Sequence, residues 1–318
     1  MKNKMLKLKQ SAISDYLPLI IAFAIIVAFF GIMAPNFFAV RNFLNILLYA
    51  ANVAILACTM TLILVAGHID LSIGSVIALA GVVLGKCMEG GMSFWASIGI
   101  TMLVCLLTGL YNGIMITKVK VNAFITTLAG MQIFRGIAYL MTSGKSIPIA
   151  DPVIKAIGRG YTGAIPNAVI IMVIMVVGFS LLAKYTTFGR RIYVIGGNAN
   201  VAFLSGINVD RTLIGVFALN GLVTGIATLV YCSQLGAGMP QNATGMEFDV
   251  ITAVVLGGTS MSGGKGTIVG ALIGAILIGT LENGMVMMNI NSYWQDVISG
   301  IVLVIAVVFD IIKNRGKS

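Results

Sequence analysis

The chain has 318 residues, of which 58% are hydrophobic and only 9% are charged, and its formal net charge is +10. Soluble domains contain about 25% charged residues, because polar groups must cover a soluble surface. The composition therefore excludes a soluble enzyme, a disordered chain, a disulfide-rich secreted domain and a fibrous repeat. An integral membrane protein remains, and the 38 glycines suit closely packed membrane helices.

Apolar runs predict where the chain crosses the membrane, since a spanning helix needs ~20 mostly apolar residues. We predict an all-α polytopic protein that forms a single membrane domain over residues 1–318. Ten runs are predicted to span the membrane: 17–33, 44–66, 71–86, 94–117, 122–142, 166–183, 211–235, 248–257, 266–288 and 293–312. The third and the eighth run are short. The residues before Pro35 do not form a small-x-small cleavage site, so we expect an uncleaved first helix.

The distribution of Lys and Arg predicts the orientation, because short cytoplasmic loops carry an excess of positive charge. With the N-terminus inside and ten crossings, most of the 20 Lys and Arg residues fall on the inner side. This predicts that both termini are cytoplasmic. The same topology makes 143–165 a periplasmic loop and 184–210 the largest cytoplasmic loop.

The cytoplasmic loop contains a predicted short helix at 199–205. Gly196 and Gly197 precede it and Gly206 follows it. Glycine on both sides is ordinary start and stop punctuation for a helix. A short helix on the cytoplasmic face is suited to docking a soluble partner.

The order of the segments predicts an inverted pseudo-repeat. Segments two to five and seven to ten form two four-helix sets, and the sets start from opposite sides. In each set the second member is short and opens with an aspartate, Asp70 or Asp249, which can cap a helix start. Short segments at matching places in inverted halves are typical of a transport pathway. Capped helices with no role in transport are the other interpretation.

The residues that carry catalysis or bind metals are scarce. With one histidine and four scattered cysteines, the sequence predicts no metal site and no catalytic group of its own. The run 258–266 resembles a phosphate loop, but Gly266 stands after Lys265 where that motif requires Ser or Thr. We therefore expect ATP to act through another subunit. The positive charge is explained by cytoplasmic loops, so we expect no nucleic-acid partner.

Polar residues inside the apolar runs are the candidates for gating and for a substrate path. A charge at mid-membrane costs about 2.5–3.5 kcal/mol on insertion scales, which singles out Arg135, and we favour a carboxylate or carbonyl partner for it. The structural or gating candidates are Asp70, Ser72, Asp249 and Arg135. The substrate-path candidates, which suit a neutral hydroxyl-rich solute, are Asn52, Asn122, Phe124, Thr126, Thr127, Gln132 and Asn220. Interhelical hydrogen bonding is the alternative for each polar member.

Four stretches carry a family resemblance. They are GHIDLSIGS at 67–75, VNAFITTLAG at 121–130, FGRRIYVIGGN at 188–198 with LSGINV at 204–209, and FDVITAVVLGGTSMSGGKGTIVG at 248–270. The chain resembles the membrane permeases of bacterial ABC importers for monosaccharides, of the ribose, xylose and galactoside type, and most of all those for ribose. The resemblance implies ten spanning helices and two permease copies per transporter. It also implies a cytoplasmic ATPase that binds ATP and Mg²⁺, and a periplasmic or lipid-anchored sugar-binding protein.

The resemblance also implies that the stretch 196–207 is a coupling element that fits a cleft in the ATPase. The residues assigned to it are Gly196, Gly197, Asn198, Ala199, Leu204, Ser205 and Gly206. Asn200, Val201 and Phe203 depart from the family pattern, and His68 stands where the family usually has Gly.

The predicted function is that of a translocating subunit for a monosaccharide in the bacterial cytoplasmic membrane, without an ATPase site of its own. The alternative is an ion-gradient-driven secondary transporter or a channel. Such proteins usually keep a charged relay inside the membrane, whereas Asp70 and Asp249 are interpreted here as helix caps. A membrane enzyme is less favoured, because no pair of catalytic groups converges.

Overall fold

The computed structural model describes residues 19–315, which are nearly all helical. The helices are α1, described over Leu19–Met33, α2 Val40–Val65, α3 Ile73–Glu89, α4 Phe94–Thr117, α5 Ala123–Thr142, α6 Pro152–Arg159, α7 Asn167–Tyr185, α8 Thr187–Gly197, α9 Ala199–Leu204, α10 Val209–Leu235, α11 Met246–Leu256, α12 Ile268–Met287 and α13 Ser292–Arg315. Four two-residue strands accompany them: β1 Ile147–Pro148, β2 Tyr161–Thr162, β3 Ile165–Pro166 and β4 Ala237–Gly238.

Within the described residues, seven helices are long and apolar enough to cross a membrane: α2, α4, α5, α7, α10, α12 and α13. Each of the ten predicted runs overlaps one helix, so the pattern of apolar segments is confirmed while the number of spans established is seven. The other three predicted runs correspond to α1, α3 and α11, which are not among those seven helices. The basic stretch at Lys2, Lys4, Lys7 and Lys9 lies outside the described residues, and the inverted repeat stays a prediction.

Helix α2 is the centre of the bundle. Every residue from 50 to 65 is buried, and the helix packs against α7, α10, α11 and α12. It has no charged residue after Arg41 and is predominantly apolar, as expected for a helix at the centre of a bundle. Helix α3 is buried over 73–85 in the same way. At the periphery, α13 exposes Val304 and Ile305 at 61% each, as expected for side chains that face lipid.

Glycines bring the backbones of neighbouring helices into contact. A Cβ atom added at Gly109 of α4 would touch the carbonyl oxygen of Phe217, and one added at Gly221 of α10 would touch that of Cys105. Gly113 and Gly225 continue both stripes one turn on, so each helix presents a Gly-x3-Gly unit to the other.

Helices α11 and α12 meet through glycines in the same way. A Cβ at Gly270 would touch the carbonyl oxygen of Gly257, and one at Gly274 would touch that of Ala253. The glycine stripe at the start of α12 is therefore a helix-packing surface.

The two short helices meet at their N-termini. A Cβ at Gly74 of α3 would touch Glu247 and the carbonyl oxygen of Ala243, at the start of α11. The prediction that Asp70 and Asp249 cap these helices is wrong. The N-cap positions are Ser72 and Gly245, and neither makes a side-chain cap bond. Asp70 precedes its cap and is engaged by other helices, while Asp249 lies inside the first turn of α11.

The stretches predicted as loops are folded. The stretch 143–165 contains β1, α6 and β2, and β1 pairs antiparallel with β4 through Ile147 and Gly238. Helix α6 is fixed to α10, because the Gly158 N–H donates to Ser233 Oγ at 2.8 Å. The stretch 184–210 contains α8 and the short helix α9.

We expect Gly221→Ala to destabilise the protein, because the new methyl group would press on the Cys105 carbonyl where α4 and α10 touch. Gly178→Ala in α7 is the matched control. A Cβ there meets nothing within 4 Å, so alanine should be neutral or stabilise the helix by up to about 1 kcal/mol. Thermal unfolding of both variants in detergent gives the comparison, and equal midpoints would contradict the close contact.

Candidate functional site

A buried carboxylate, Asp70, lies at a junction of three helices. Its side chain is 2% exposed. Oδ1 accepts hydrogen bonds from the backbone N–H and the Oγ of Ser72, at 2.8 and 2.6 Å. Oδ2 accepts from Asn220 Nδ2 of α10 at 2.9 Å and from Asn112 Nδ2 of α4 at 3.4 Å. A carboxylate taken out of water needs such donors, and here they come from separate elements.

The network extends from Asp70 to its neighbours. Asn112 Nδ2 also donates to Ser72 Oγ at 2.9 Å. On the far side of Asn220, the Thr59 hydroxyl of α2 donates to Oδ1 at 2.7 Å. Five buried polar side chains therefore join α2, α4, α10 and the 66–72 link, and we call this set the Asp70 network. Its bonds fix the position of that link relative to three helices.

A second junction joins α8 to the end of α2. The carbonyl oxygen of Val65, the last residue of α2, accepts from the Gly264 N–H at 2.8 Å. A Cβ added at Gly196 would touch the same carbonyl, so only glycine lets α8 approach this closely. The Tyr193 hydroxyl of α8 donates to the Gly266 carbonyl at 2.8 Å. We call this contact, at Gly196, Val65 and Gly264, the Val65 junction.

Helix α9 follows this junction and is exposed. Asn198 caps it, accepting from the N–H groups of Asn200 and Val201 at 3.0 and 3.1 Å. Phe203 is 71% exposed and Leu204 is 82% exposed. Within α9 only Ala202 is buried. The helix thus presents apolar side chains on a short, well-capped turn that lies outside the seven long apolar helices.

At the other end of α2 the bundle forms a partly open cavity of about 780 Å³. It is bordered by the first half of α2, the ends of α6, α10 and α12, and the start of α11. Its polar lining includes the amides Asn52, Gln234 and Asn283 and the carboxyls Asp249 and Glu282. We call this space the polar cavity.

Arg135 clamps the chain between β4 and α11. One guanidinium nitrogen, Nη1, donates to the carbonyl oxygens of Pro240 and Asn242 at 2.7 and 3.2 Å. The interpretation that a carbonyl partner accommodates this charge is therefore confirmed. The clamp holds the stretch that leads into α11.

The structure separates the substrate-path candidates. Asn52 lines the polar cavity, where its Nδ2 donates to Gln234 Oε1 at 2.7 Å. Asn220 belongs to the Asp70 network instead. The remaining candidates lie on α5 or at its start and do not line the cavity.

The α5 candidates have differing environments. Asn122 caps the helix by accepting from the Phe124 N–H at 2.9 Å, and the Phe124 ring is 52% exposed. Thr127 donates to a carbonyl one turn back in its own helix, and Gln132 is exposed. Thr126 is buried, and its hydroxyl has no hydrogen-bond partner within the described protein.

The candidates named from the sequence omit five side chains of these two sites. Thr59 and Asn112 belong to the Asp70 network, and Gln234, Glu282 and Asn283 line the polar cavity. All five are polar side chains within apolar runs, which is the pattern that points to them. Sequence alone gives no measure of which helix each one faces.

Comparisons with known proteins agree with the membrane architecture. The family model described as "branched-chain amino acid transport system / permease component" matches residues 42–307. The L-arabinose transport system permease protein AraH of Escherichia coli is 39% identical over 303 residues, which cover 95% of this chain and 92% of that protein. The ribose import permease protein RbsC of Bacillus subtilis is 39% identical over 288 residues, covering 90% and 89%. No solved structure matches the chain with significance.

We expect Asp70→Asn to lower stability by about 1–3 kcal/mol, because all four hydrogen bonds are donated to the carboxylate and an amide accepts on one side only. Adding Asn220→Asp should recover part of the loss by exchanging acid and amide across the pair. Asp151→Asn is the control, since Asp151 caps α6 outside the Asp70 network and asparagine caps equally well. Unfolding midpoints in detergent decide the matter, and a swap variant no better than the single variant would contradict the network.

Proposed function

Because this chain belongs to the permease family described as "branched-chain amino acid transport system / permease component", we propose that it is the membrane subunit of an ABC importer for a monosaccharide. The observation that carries the proposal is the 39% identity to arabinose and ribose permeases over at least 90% of the chain. Ribose or a related sugar is the proposed cargo. The subunit would lie in the bacterial cytoplasmic membrane, since its seven long apolar helices require a bilayer.

The proposed topology has ten membrane segments with both termini in the cytoplasm. Helix α11 is about 16 Å long at 1.5 Å per residue, roughly half of the ~30 Å hydrocarbon core. We propose that α3 and α11 are partial crossings, completed by the non-helical stretches that precede them. Their N-termini adjoin inside the bundle, as in transporters with broken helices.

Coupling to ATP hydrolysis is proposed to occur at α9. A partner ATPase subunit would bind ATP and Mg²⁺ and would receive the exposed Leu204 and Phe203 side chains in a surface cleft. Gly196, Gly197 and Asn198 would set the angle at which α8 leads into α9, and Ser205 and Gly206 would end the helix. A movement of α9 would then reach α2 through the Val65 junction, whose contacts join backbone to backbone.

The other proposed partners follow from the same function. A sugar-binding protein would dock on the outer side, which includes the folded 143–165 stretch. A second permease copy and the surrounding membrane lipid would complete the transporter. No bond in the sugar is broken, so the subunit needs no catalytic acid, base or cofactor of its own.

We expect sugar uptake in proteoliposomes to require the ATPase subunit, because this chain has no phosphate-binding loop of its own. Labelled ribose and arabinose would be supplied with the binding protein, with and without the ATPase and ATP. Equal uptake in both preparations would refute the coupling to ATP.

One feature of the structure favours the alternative function, an ion-gradient-driven transporter or a channel, and a separate experiment tests that alternative. Asp70 is a buried carboxylate and not a helix cap, so the chain does hold an acidic group at depth. Its four donors are all neutral amide or hydroxyl groups of the protein, which is the arrangement of a structural hub. A proton ionophore, added while ATP is held constant, should leave uptake unchanged if the ABC mechanism is right.

We expect Leu204→Asp to reduce ATP-driven uptake at least about tenfold, because a charged side chain loses the apolar contact with the ATPase cleft. Leu204 is 82% exposed, so the variant should fold normally. Leu204→Met is the matched control and should keep both uptake and co-purification with the ATPase. Normal uptake by the aspartate variant would show that α9 does not dock there.

A further inference from the structure

The polar cavity leaves hydrogen-bonding groups unused. Asn52 and Asn283 line it and are only 6% and 3% exposed. Each donates through Nδ2, Asn52 to Gln234 and Asn283 to Asn42, yet the amide oxygen of each has no partner in the described protein. The Nε2 of Gln234 has none either. Buried polar atoms in native proteins almost always have a hydrogen-bond partner. These unpaired amide atoms are therefore available to bind a polar ligand in the cavity.

The same lining supplies carboxyl groups. Asp249, Glu282 and Asp296 all border the cavity. Carboxyl oxygens accept hydrogen bonds, which suits the hydroxyl groups of a neutral molecule.

The lining argues against an anion or a metal ion. Arg159 is the only basic residue among those that line the cavity, whereas Asp249, Glu282 and Asp296 bring three carboxyl groups, a balance of charge that does not favour an anion. In the described part of the chain, no three His, Cys, Asp or Glu side chains are grouped so as to hold a metal. The rings of Tyr49 and Tyr231 also line the space and offer apolar faces for the C–H groups of a sugar ring.

We propose that the polar cavity binds one neutral monosaccharide during translocation, through the amides of Asn52, Asn283 and Gln234 and the carboxyl groups of Asp249 and Glu282. This inference rests on the proposed sugar-importer function and names the binding site within it. A volume of about 780 Å³ lies within the ~300–1,000 Å³ that small-molecule sites occupy and leaves room for water beside one sugar. Of the residues that the sequence nominated for the path, Asn52 is the one that belongs here.

A thiol-protection experiment tests binding without any partner subunit. The full-length permease in lipid nanodiscs would carry Thr244→Cys, at an exposed position of the cavity lining, in a Cys87→Ser background. The other native cysteines, Cys58, Cys105 and Cys232, are buried. D-ribose or L-arabinose should slow the reaction with a membrane-impermeant maleimide, whereas L-leucine should not. Met92→Cys, 50% exposed in the link between α3 and α4, is the control site that no sugar should protect.

The role of the carboxyl pair is tested by Glu282→Gln in the full complex. We expect the rate of sugar uptake, and the protection of the Thr244→Cys thiol, to fall about tenfold or more, as for a lost hydrogen bond to a charged group. Elution of the complex on gel filtration and co-purification with the ATPase subunit should stay normal, which a misfolded variant would not achieve. Glu89→Gln, an exposed carboxylate paired with Lys86 outside the cavity, is the matched control and should match the wild type.

The outcomes separate this inference from the proposed function. A wild-type complex that takes up sugar, with a Thr244→Cys thiol that no sugar protects, would overturn the binding site alone. Protection by L-leucine instead of the sugars would overturn the ligand class. A wild-type complex without ATP-driven uptake would sink the proposed function, and the nanodisc assay would still decide whether the cavity binds a sugar.

Discussion

A carboxylate held inside an apolar bundle constrains everything that touches it. Asp70 is buried and draws its hydrogen bonds from the 66–72 link, α4 and α10, while Thr59 of α2 donates to Asn220 from the other side. Removing one partner leaves a buried group unsatisfied, so the network holds as a unit or fails as a unit. It therefore fixes how the non-helical link enters α3, and with it the place where the short helices α3 and α11 adjoin.

The Asp70 network is close in sequence to the Val65 junction. Val65 ends α2, and Asp70 follows five residues later, so α8 contacts the carbonyl at one end of the link that Asp70 anchors at the other. Because residues 196 and 264 are glycines, no side chain of theirs lies between the backbones at this contact. Packed backbones shift between discrete arrangements and do not deform continuously, which suits a part that passes a displacement from α9 to the bundle.

Much of the fold was predictable from composition and apolar run length, and much of the site was not. All ten runs became helices because a stretch of apolar residues in lipid must satisfy its own backbone hydrogen bonds. The prediction that Asp70 and Asp249 cap their helices failed because nearness in sequence to a helix start does not show which residue takes the N-cap position. For Asp70 it also does not reveal the donors on α4 and α10. Asn220 and Asn52 are both asparagines within apolar runs, so the sequence does not distinguish them. Asn220 donates to the Asp70 carboxylate, whereas Asn52 borders the polar cavity, because the two helices turn different faces inward.

The comparisons name two classes of substrate: sugars for the arabinose and ribose relatives, and amino acids in the description of the family. The side chains that line the polar cavity can be compared with the needs of each class. An amino acid carries a carboxylate and an ammonium group, and a site for it needs a strong donor for the first as well as an acceptor for the second. The polar cavity offers amides and the carboxyl groups of Asp249, Glu282 and Asp296, and Arg159 is the one basic side chain in its lining. A sugar presents neutral hydroxyls, each of which both donates and accepts, and a lining of amides and carboxyl groups can serve both roles. The proposed sugar site is consistent with this lining and with the sugars that the names of the arabinose and ribose relatives carry.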